Sequence, residues 1–133
     1  THIANASRNQ RMNSLLNESD WRHELDWLDE QGDAMLQLVE KLANINSGTF
    51  NLDGLKTVES CLTHEFSKLG GDLSILESRP QSSINSAGKM EQQALGDILH
   101  ISKRSATKKK ILLCIHMDTV YSKEHPFQKC QWL

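Results

Sequence analysis

The stretch Ile111-Leu112-Leu113-Cys114-Ile115-His116-Met117-Asp118-Thr119-Val120-Tyr121 decides how this chain is read. An apolar run follows the lysine triplet Lys108 to Lys110 and gives way to a histidine and an aspartate two positions apart. A short apolar run between polar flanks predicts a strand buried on both faces. Side chains at i and i+2 of a strand share a face, so continued extension sets His116 and Asp118 side by side. Open α/β sheets bind ligands at the carboxyl ends of their strands. The pair is therefore the first candidate site.

Outward from that strand, Lys103 to Lys110 reads as a hairpin turn leading into it. Its partner is a strand within Leu95–Ser102, with Ile98 and His100 on one face and Leu99 and Ile101 on the other. Residues Ser78 to Gln93 contain Pro80, Gly88 and several Ser, Asn and Gln, and read as a long exposed loop. Asp72–Glu77 is a short strand. Before it, Leu55, Val58, Leu62, Phe66 and Leu69 keep helical spacing, with Asn51 or Asp53 as the cap and Gly70-Gly71 as the stop. Cys61 and His64 lie off the centre of that stripe and read as boundary residues. Asn44 to Asn51 is a loop, in which Gly48 can take positive φ.

A longer amphipathic pattern precedes the loop: Trp21, Leu25, Leu28, Met35, Val39 and Leu42, with Ser19 or Asp20 as the N-cap. Gly32 predicts a kink or a division into two shorter helices. Its acidic residues, from Glu18 to Glu30, read as a solvated face. Residues 1–19 are polar and read as a flexible leader with a helical turn at Met12 to Leu16. Residues 20–133 form the domain. Helices followed by strands imply an α/β layered arrangement, and the hairpin makes its sheet mixed.

Composition narrows the function classes. Of 133 residues, 38% are hydrophobic and 24% charged, so neither a disordered chain nor a membrane protein is indicated. No apolar run approaches a membrane span or a signal peptide. A net charge of −2 gives no general reason to expect nucleic acid as a partner. The cluster Lys103, Arg104 and Lys108 to Lys110 has no interleaved aromatic, which also argues against nucleic-acid binding. Cys61, Cys114 and Cys130 are widely spaced, with no C-x-x-C, so a reducing, cytoplasmic location fits best. The chain starts at Thr1 and stops at Leu133, which suggests a piece of something longer.

Neutral imidazole is a good zinc ligand, and its second ring nitrogen is usually held by a carboxylate or carbonyl. His116 can bind metal while Asp118 orients it; the alternative is a capped strand end with Asp118 and Thr119 bonding the loop backbone. Ser47 and Thr49 lack a G-x-S-x-G elbow. Cys114, expected inside a buried strand, reads as inert packing. Neither G-x-G-x-x-G nor a P-loop occurs. His125, in a loop before Pro126, is a poor preorganised ligand.

The segment ending His116-Met117-Asp118-Thr119-Val120 resembles the H-x-D-T-V segment of the M20 family of zinc-dependent aminoacyl hydrolases. Asn46-Ser47-Gly48-Thr49, with Asn51 and Gly54-Leu55, resembles the N-S-G-T-x-N-x-x-G-V/L stretch of carboxypeptidase G2-like members. The Leu69-Gly70 helix end and Pro126-Phe127 also fit, so the likeness runs over residues 20 to 128. It implies the N-terminal part of a layered α/β/α zinc-exopeptidase-like catalytic domain, truncated, with a mixed sheet and two N-terminal helices. It further implies that His116 is a ligand of one of two zinc ions and that Asp118 is the catalytic-site aspartate supporting it. The implied substrate is a small peptide or N-acyl amino acid; some relatives form a homodimer through a separate lid domain, and the resemblance leaves open whether the intact enzyme does. The family's bridging aspartate, general-base glutamate and further ligands have no counterpart in this sequence, so the chain alone is expected to be inactive. Two readings compete: a truncated relative acting as a non-catalytic binding or regulatory module, and an unrelated α/β domain that binds polyanions through its lysine-rich hairpin.

Overall fold

Asn51 opens the helix that carries the buried apolar residues. In the computed structural model, which describes residues 18–131, its side-chain oxygen accepts from the Gly54 amide at 3.3 Å. This satisfies one of the amides that a helix start leaves unpaired. The helices are α1 (Glu18–Glu30), α2 (Gly32–Ala43) and α3 (Leu52–Ser67). The strands are β1 (Asp72–Leu76), β2 (Gln81–Ile84), β3 (Met90–Gln93) and β4 (Ile98–Ser102). The expected flexible leader and its helical turn at Met12 to Leu16 lie outside the described residues, apart from the leader's last two positions. Among the described residues no helix is long and apolar enough to cross a membrane.

The chain divides into two units after Val39. In the first, α1 ends at Glu30 and α2 begins at Gly32, so the long amphipathic pattern is two helices. The break falls beside the glycine, as its poor helix propensity implies. Ser19 and Asp20 lie inside α1 rather than capping it. Trp21, Leu25, Leu28, Met35 and Val39 are all exposed.

In the second unit, α3 buries Leu55 and Val58, the two apolar residues of its stripe that define the core among the described residues. Leu55 rests on Gly96, whose missing side chain leaves the room: a Cβ there would lie 2.9 Å from Leu55 Cδ1. Glu59 is also buried and reaches the Lys56 ammonium at 2.7 Å. A buried carboxylate needs such a partner, since isolated charge is costly to remove from water. Beyond Ser67 the helix unwinds through Lys68 and Leu69, and Gly70 takes φ +63°. This is the left-handed geometry that glycine adopts without strain.

β1 and β4 pair antiparallel, with Leu73 opposite Ile101 and Ile75 opposite Leu99. On β4, Leu99 and Ile101 are half-buried while Ile98 and His100 face solvent, the alternation expected of its sequence.

Two expectations fail here. The first is the loop at Ser78 to Gln93, which contains a hairpin, β2 against β3, with Ile84 opposite Met90. Asn85 organises its turn: its side-chain oxygen accepts from the Ala87 and Lys89 amides, each at 3.0 Å, and Gly88 takes φ +74°. The local polar chemistry outweighs the shortage of apolar residues.

The second failure is the strand at Ile111 to Ile115. These residues form no helix, strand or turn, and Ile111, Leu112, Leu113 and Ile115 are between 82% and 89% exposed. The Arg104–Thr107 turn does form, with the Thr107 amide donating to the Arg104 carbonyl at 3.0 Å. The chain leaving it does not return along β4. The expected mixed sheet is therefore two separate two-stranded antiparallel sheets among the described residues. Hydrophobic patterning specifies which residues benefit from burial, but a strand also requires an edge to pair with.

Candidate functional site

A single parallel bridge joins Gly48 to Thr119, drawing the loop after α2 against the end of the His116–Asp118 segment. The Thr119 amide donates to the Ser47 carbonyl at 2.9 Å. Close approach here depends on Gly48, because a Cβ at that position would lie 2.3 Å from the Tyr121 carbonyl oxygen. Ser47 and Gly48 are buried beneath the contact. The two motifs lie far apart in sequence, yet they meet at one place.

Asn46 fastens both sides of that place. Its side-chain nitrogen lies 3.3 Å from the Tyr121 carbonyl, 3.0 Å from the Ser122 carbonyl and 3.1 Å from Gln128 Oε1. Its side-chain oxygen accepts from the Gly48 amide at 3.2 Å and from Asn51 Nδ2 at 3.0 Å. Asn51 Nδ2 also donates to the Asn46 carbonyl at 2.7 Å. One asparagine therefore links the cap of α3 to the segment carrying the candidate site. The Cys130 amide adds a bond to the Asn44 side chain at 2.9 Å.

His116 and Asp118 are neighbours, as the i, i+2 spacing anticipates, although no strand places them there. His116 Nδ1 lies 2.8 Å from the Asp118 carbonyl oxygen and 3.1 Å from its Oδ1. Oxygens of these two kinds only accept, so Nδ1 carries the hydrogen and donates it. In the neutral ring the lone pair then resides on Nε2, the arrangement in which histidine ligates metals. The ring is 83% exposed, leaving that nitrogen accessible.

Asp118 is held from the other side by the Thr49 hydroxyl, which donates to Oδ2 at 2.6 Å. That hydrogen bond is the main reason the carboxyl sits below its ordinary value, 3.8. The His116 ring and the aspartate's own backbone amide act in the same direction, and partial burial opposes them. A depressed carboxyl contributes stability that is present above its unfolded value and is lost as pH falls through the folded one. The window therefore lies on the acid side of pH 4 or so. In Thr49→Val the Asp118 carboxyl is expected to titrate closer to an ordinary aspartate. Carbon-detected NMR titration of Asp118 reads the shift, and an unchanged midpoint refutes the role given to Thr49.

The remaining candidates are placed as follows. Cys114 is exposed rather than buried, because the strand expected to enclose it does not form. His125 packs its ring 4.7 Å from that of Tyr121, and its Nδ1 accepts the Phe127 amide at 3.0 Å. That ties the nitrogen to a turn. His64 is exposed on α3, and Cys61 is half-buried on the same helix.

A zinc ion requires four ligands in a structural site, or three and a water in a catalytic one. Among the described residues no group of three or more His, Cys, Asp or Glu side chains converges on a point. His116 fits the role of one ligand with an oriented ring, but the described residues do not build a complete centre. The sequence drew attention to Thr49 and to both partners of the histidine pair. It gave no signal for Asn46 as the joint, since its partners are 75 or more positions away. Comparison with protein-family models, with curated proteins and with solved structures found no match.

Proposed function

We propose that this chain is part of an M20-like zinc-dependent hydrolase acting on amide bonds of small peptides or N-acyl amino acids. The observation that carries the reading is the contact between Thr49 and Asp118. It joins the N-S-G-T loop to the H-x-D-T segment, the two stretches on which the family resemblance rests, across 69 positions. A chance likeness in two separate stretches gives no reason for them to share hydrogen bonds.

In this reading His116 offers Nε2 to one metal ion, Asp118 orients the ring through Nδ1, and Thr49 fixes the carboxylate. Zinc bound in the complete enzyme supplies a Lewis acid and an activated water. The layered α/β/α exopeptidase architecture is the fold that accompanies it, and the other ligands and the general base come from residues outside those described.

Two measurements test the reading. The coding sequence beyond Leu133 is expected to remain open and to supply a metal-bridging aspartate and a glutamate general base; an early stop refutes it. The 133-residue chain itself is expected to show no amidase activity and only weak zinc binding. That binding, followed by isothermal titration calorimetry, is expected to vanish in His116→Ala. Zinc binding that is unaffected by this change removes His116 from the site.

A further inference from the structure

The turn that follows β4 carries charge that the hydrolase reading does not use. Lys103, Arg104, Lys108, Lys109 and Lys110 fall within eight residues, and all five are exposed. Residues 98–117 contain no Asp or Glu. Elsewhere the chain holds ten Lys and Arg against 17 Asp and Glu, so a cationic turn stands on an acidic protein.

Local geometry gathers this charge and leaves it unneutralised. The Thr107 hydroxyl lies 3.0 Å from the Arg104 carbonyl oxygen and 2.9 Å from that of Lys109. One side chain thus draws together the backbone on either side of the turn. Arg104 takes φ +54°, a left-handed geometry that glycine adopts freely and arginine does not. Chain reversal alone would favour glycine there. The Lys103 ammonium donates to the Leu69 carbonyl, which leaves Arg104 and the lysine triplet. Among the described residues none of these four has a carboxylate within ion-pair distance. Asp72, opposite Ser102, is the closest in register and does not reach them.

We propose that this turn binds a linear polyanion of closely spaced phosphates that carries no bases. The planar fork of arginine matches a phosphate, and lysines add point charges that demand little geometry. Consecutive lysines therefore suit a ligand that repeats one charge along its length. Base-bearing strands gain much of their affinity by stacking on aromatic side chains, and residues 98–117 hold no Phe, Trp or Tyr. Inorganic polyphosphate meets both conditions.

The surface stays open in the layered domain proposed above. A turn joining neighbouring strands runs over the outside, because burial would strand its backbone polar groups. The turn also precedes the Ile111–Ile115 segment, whereas His116 follows it, and the proposal does not depend on the metal reading.

Long-chain inorganic polyphosphate, titrated into the chain in a calorimeter, is expected to bind with a Kd of about 1–100 μM at about 0.15 M salt. With four phosphate contacts, counterion release is expected to lower the affinity roughly 50- to 150-fold between about 50 and about 200 mM salt. Lys108→Glu, Lys109→Glu and Lys110→Glu together are expected to weaken binding by about tenfold or more. Lys41→Glu, Lys89→Glu and Lys129→Glu make the same change in net charge at other exposed positions. They are expected to weaken it by about twofold or less, with unchanged circular dichroism as the control for folding.

Arg104→Gly separates binding from folding. It relaxes the backbone, so urea stability is expected to rise while the slope of log K against log salt falls by about one. Absence of binding at about 0.15 M salt overturns the proposal, as do equal losses in the two triple variants or an unaltered slope in Arg104→Gly. Tighter binding of a single-stranded oligonucleotide with as many phosphates assigns the turn to nucleic acid and also overturns it.

Discussion

Gly54→Ala is expected to destabilise the second unit by about 2–4 kcal/mol, although alanine is the better helix former. Gly54 sits in the first turn of α3, where a Cβ would lie 1.8 Å from the Asn46 carbonyl oxygen and 2.7 Å from Asn51 Nδ2. The first of these neighbours is backbone, which cannot rotate away. Relief requires the Asn46 loop to move, and that breaks the 2.7 Å bond from Asn51 to the Asn46 carbonyl. The intrinsic gain from replacing glycine in a helix is about 1 kcal/mol, too little to offset a clash of that size. Gly32→Ala is the control, since nothing lies within 4 Å of the added carbon. It is expected to be neutral or stabilising by up to about 1 kcal/mol. Urea unfolding followed by circular dichroism compares the two variants. Equal midpoints would contradict the close packing of α3 on the loop.

Asn46→Ala is expected to cost about 2–3 kcal/mol and to detach the segment from Thr119 to Gln128. The side chain faces three acceptors with only two hydrogens, so its bonds to Tyr121, Ser122 and Gln128 share them rather than add. Water replaces part of what is lost, because the carbonyl contacts are at the surface. This holds the estimate below the sum of single hydrogen bonds.

Asn46→Asp separates the two halves of the role. It retains an oxygen for the Gly48 amide and Asn51 while turning the donor into an acceptor aimed at two carbonyls. The cap of α3 should survive and the Tyr121 side should open. Amide exchange at Thr119, whose amide donates to the Ser47 carbonyl at 2.9 Å, reports the opening. Protection of Thr119 that persists in both variants would show that the bridge stands without Asn46.

These two positions illustrate how unevenly the fold is legible in the sequence. α3 is readable because its cap, stripe and stop are all local: Asn51 lies next to the helix it caps, and Leu55 and Val58 recur at helical spacing. β1 and β4 are readable for the same reason, through alternation within a few residues. The β2–β3 hairpin is hidden by its polar composition, although Asn85 and Gly88 carry the turn chemistry. The run at Ile111 has the composition of a buried strand, but burial depends on neighbours that no periodicity describes. At the site, the proximity of His116 to Asp118 follows from spacing. The Thr49 bond and the Asn46 joint are decided by tertiary folding, which leaves no local trace in either stretch.

The bridge from Gly48 to Thr119 also implies an order in time. It closes a long loop, and closure becomes more costly, if slowly, as the free chain between its ends lengthens. Once α3, β1 and β4 have assembled, most of that loop is already ordered, and only the stretch following β4 remains to be spanned. Docking of Thr119 on the Ser47–Gly48 loop is thus expected late in folding, and its release early in opening. The candidate metal ligand lies on the part of the molecule that arrives last and leaves first.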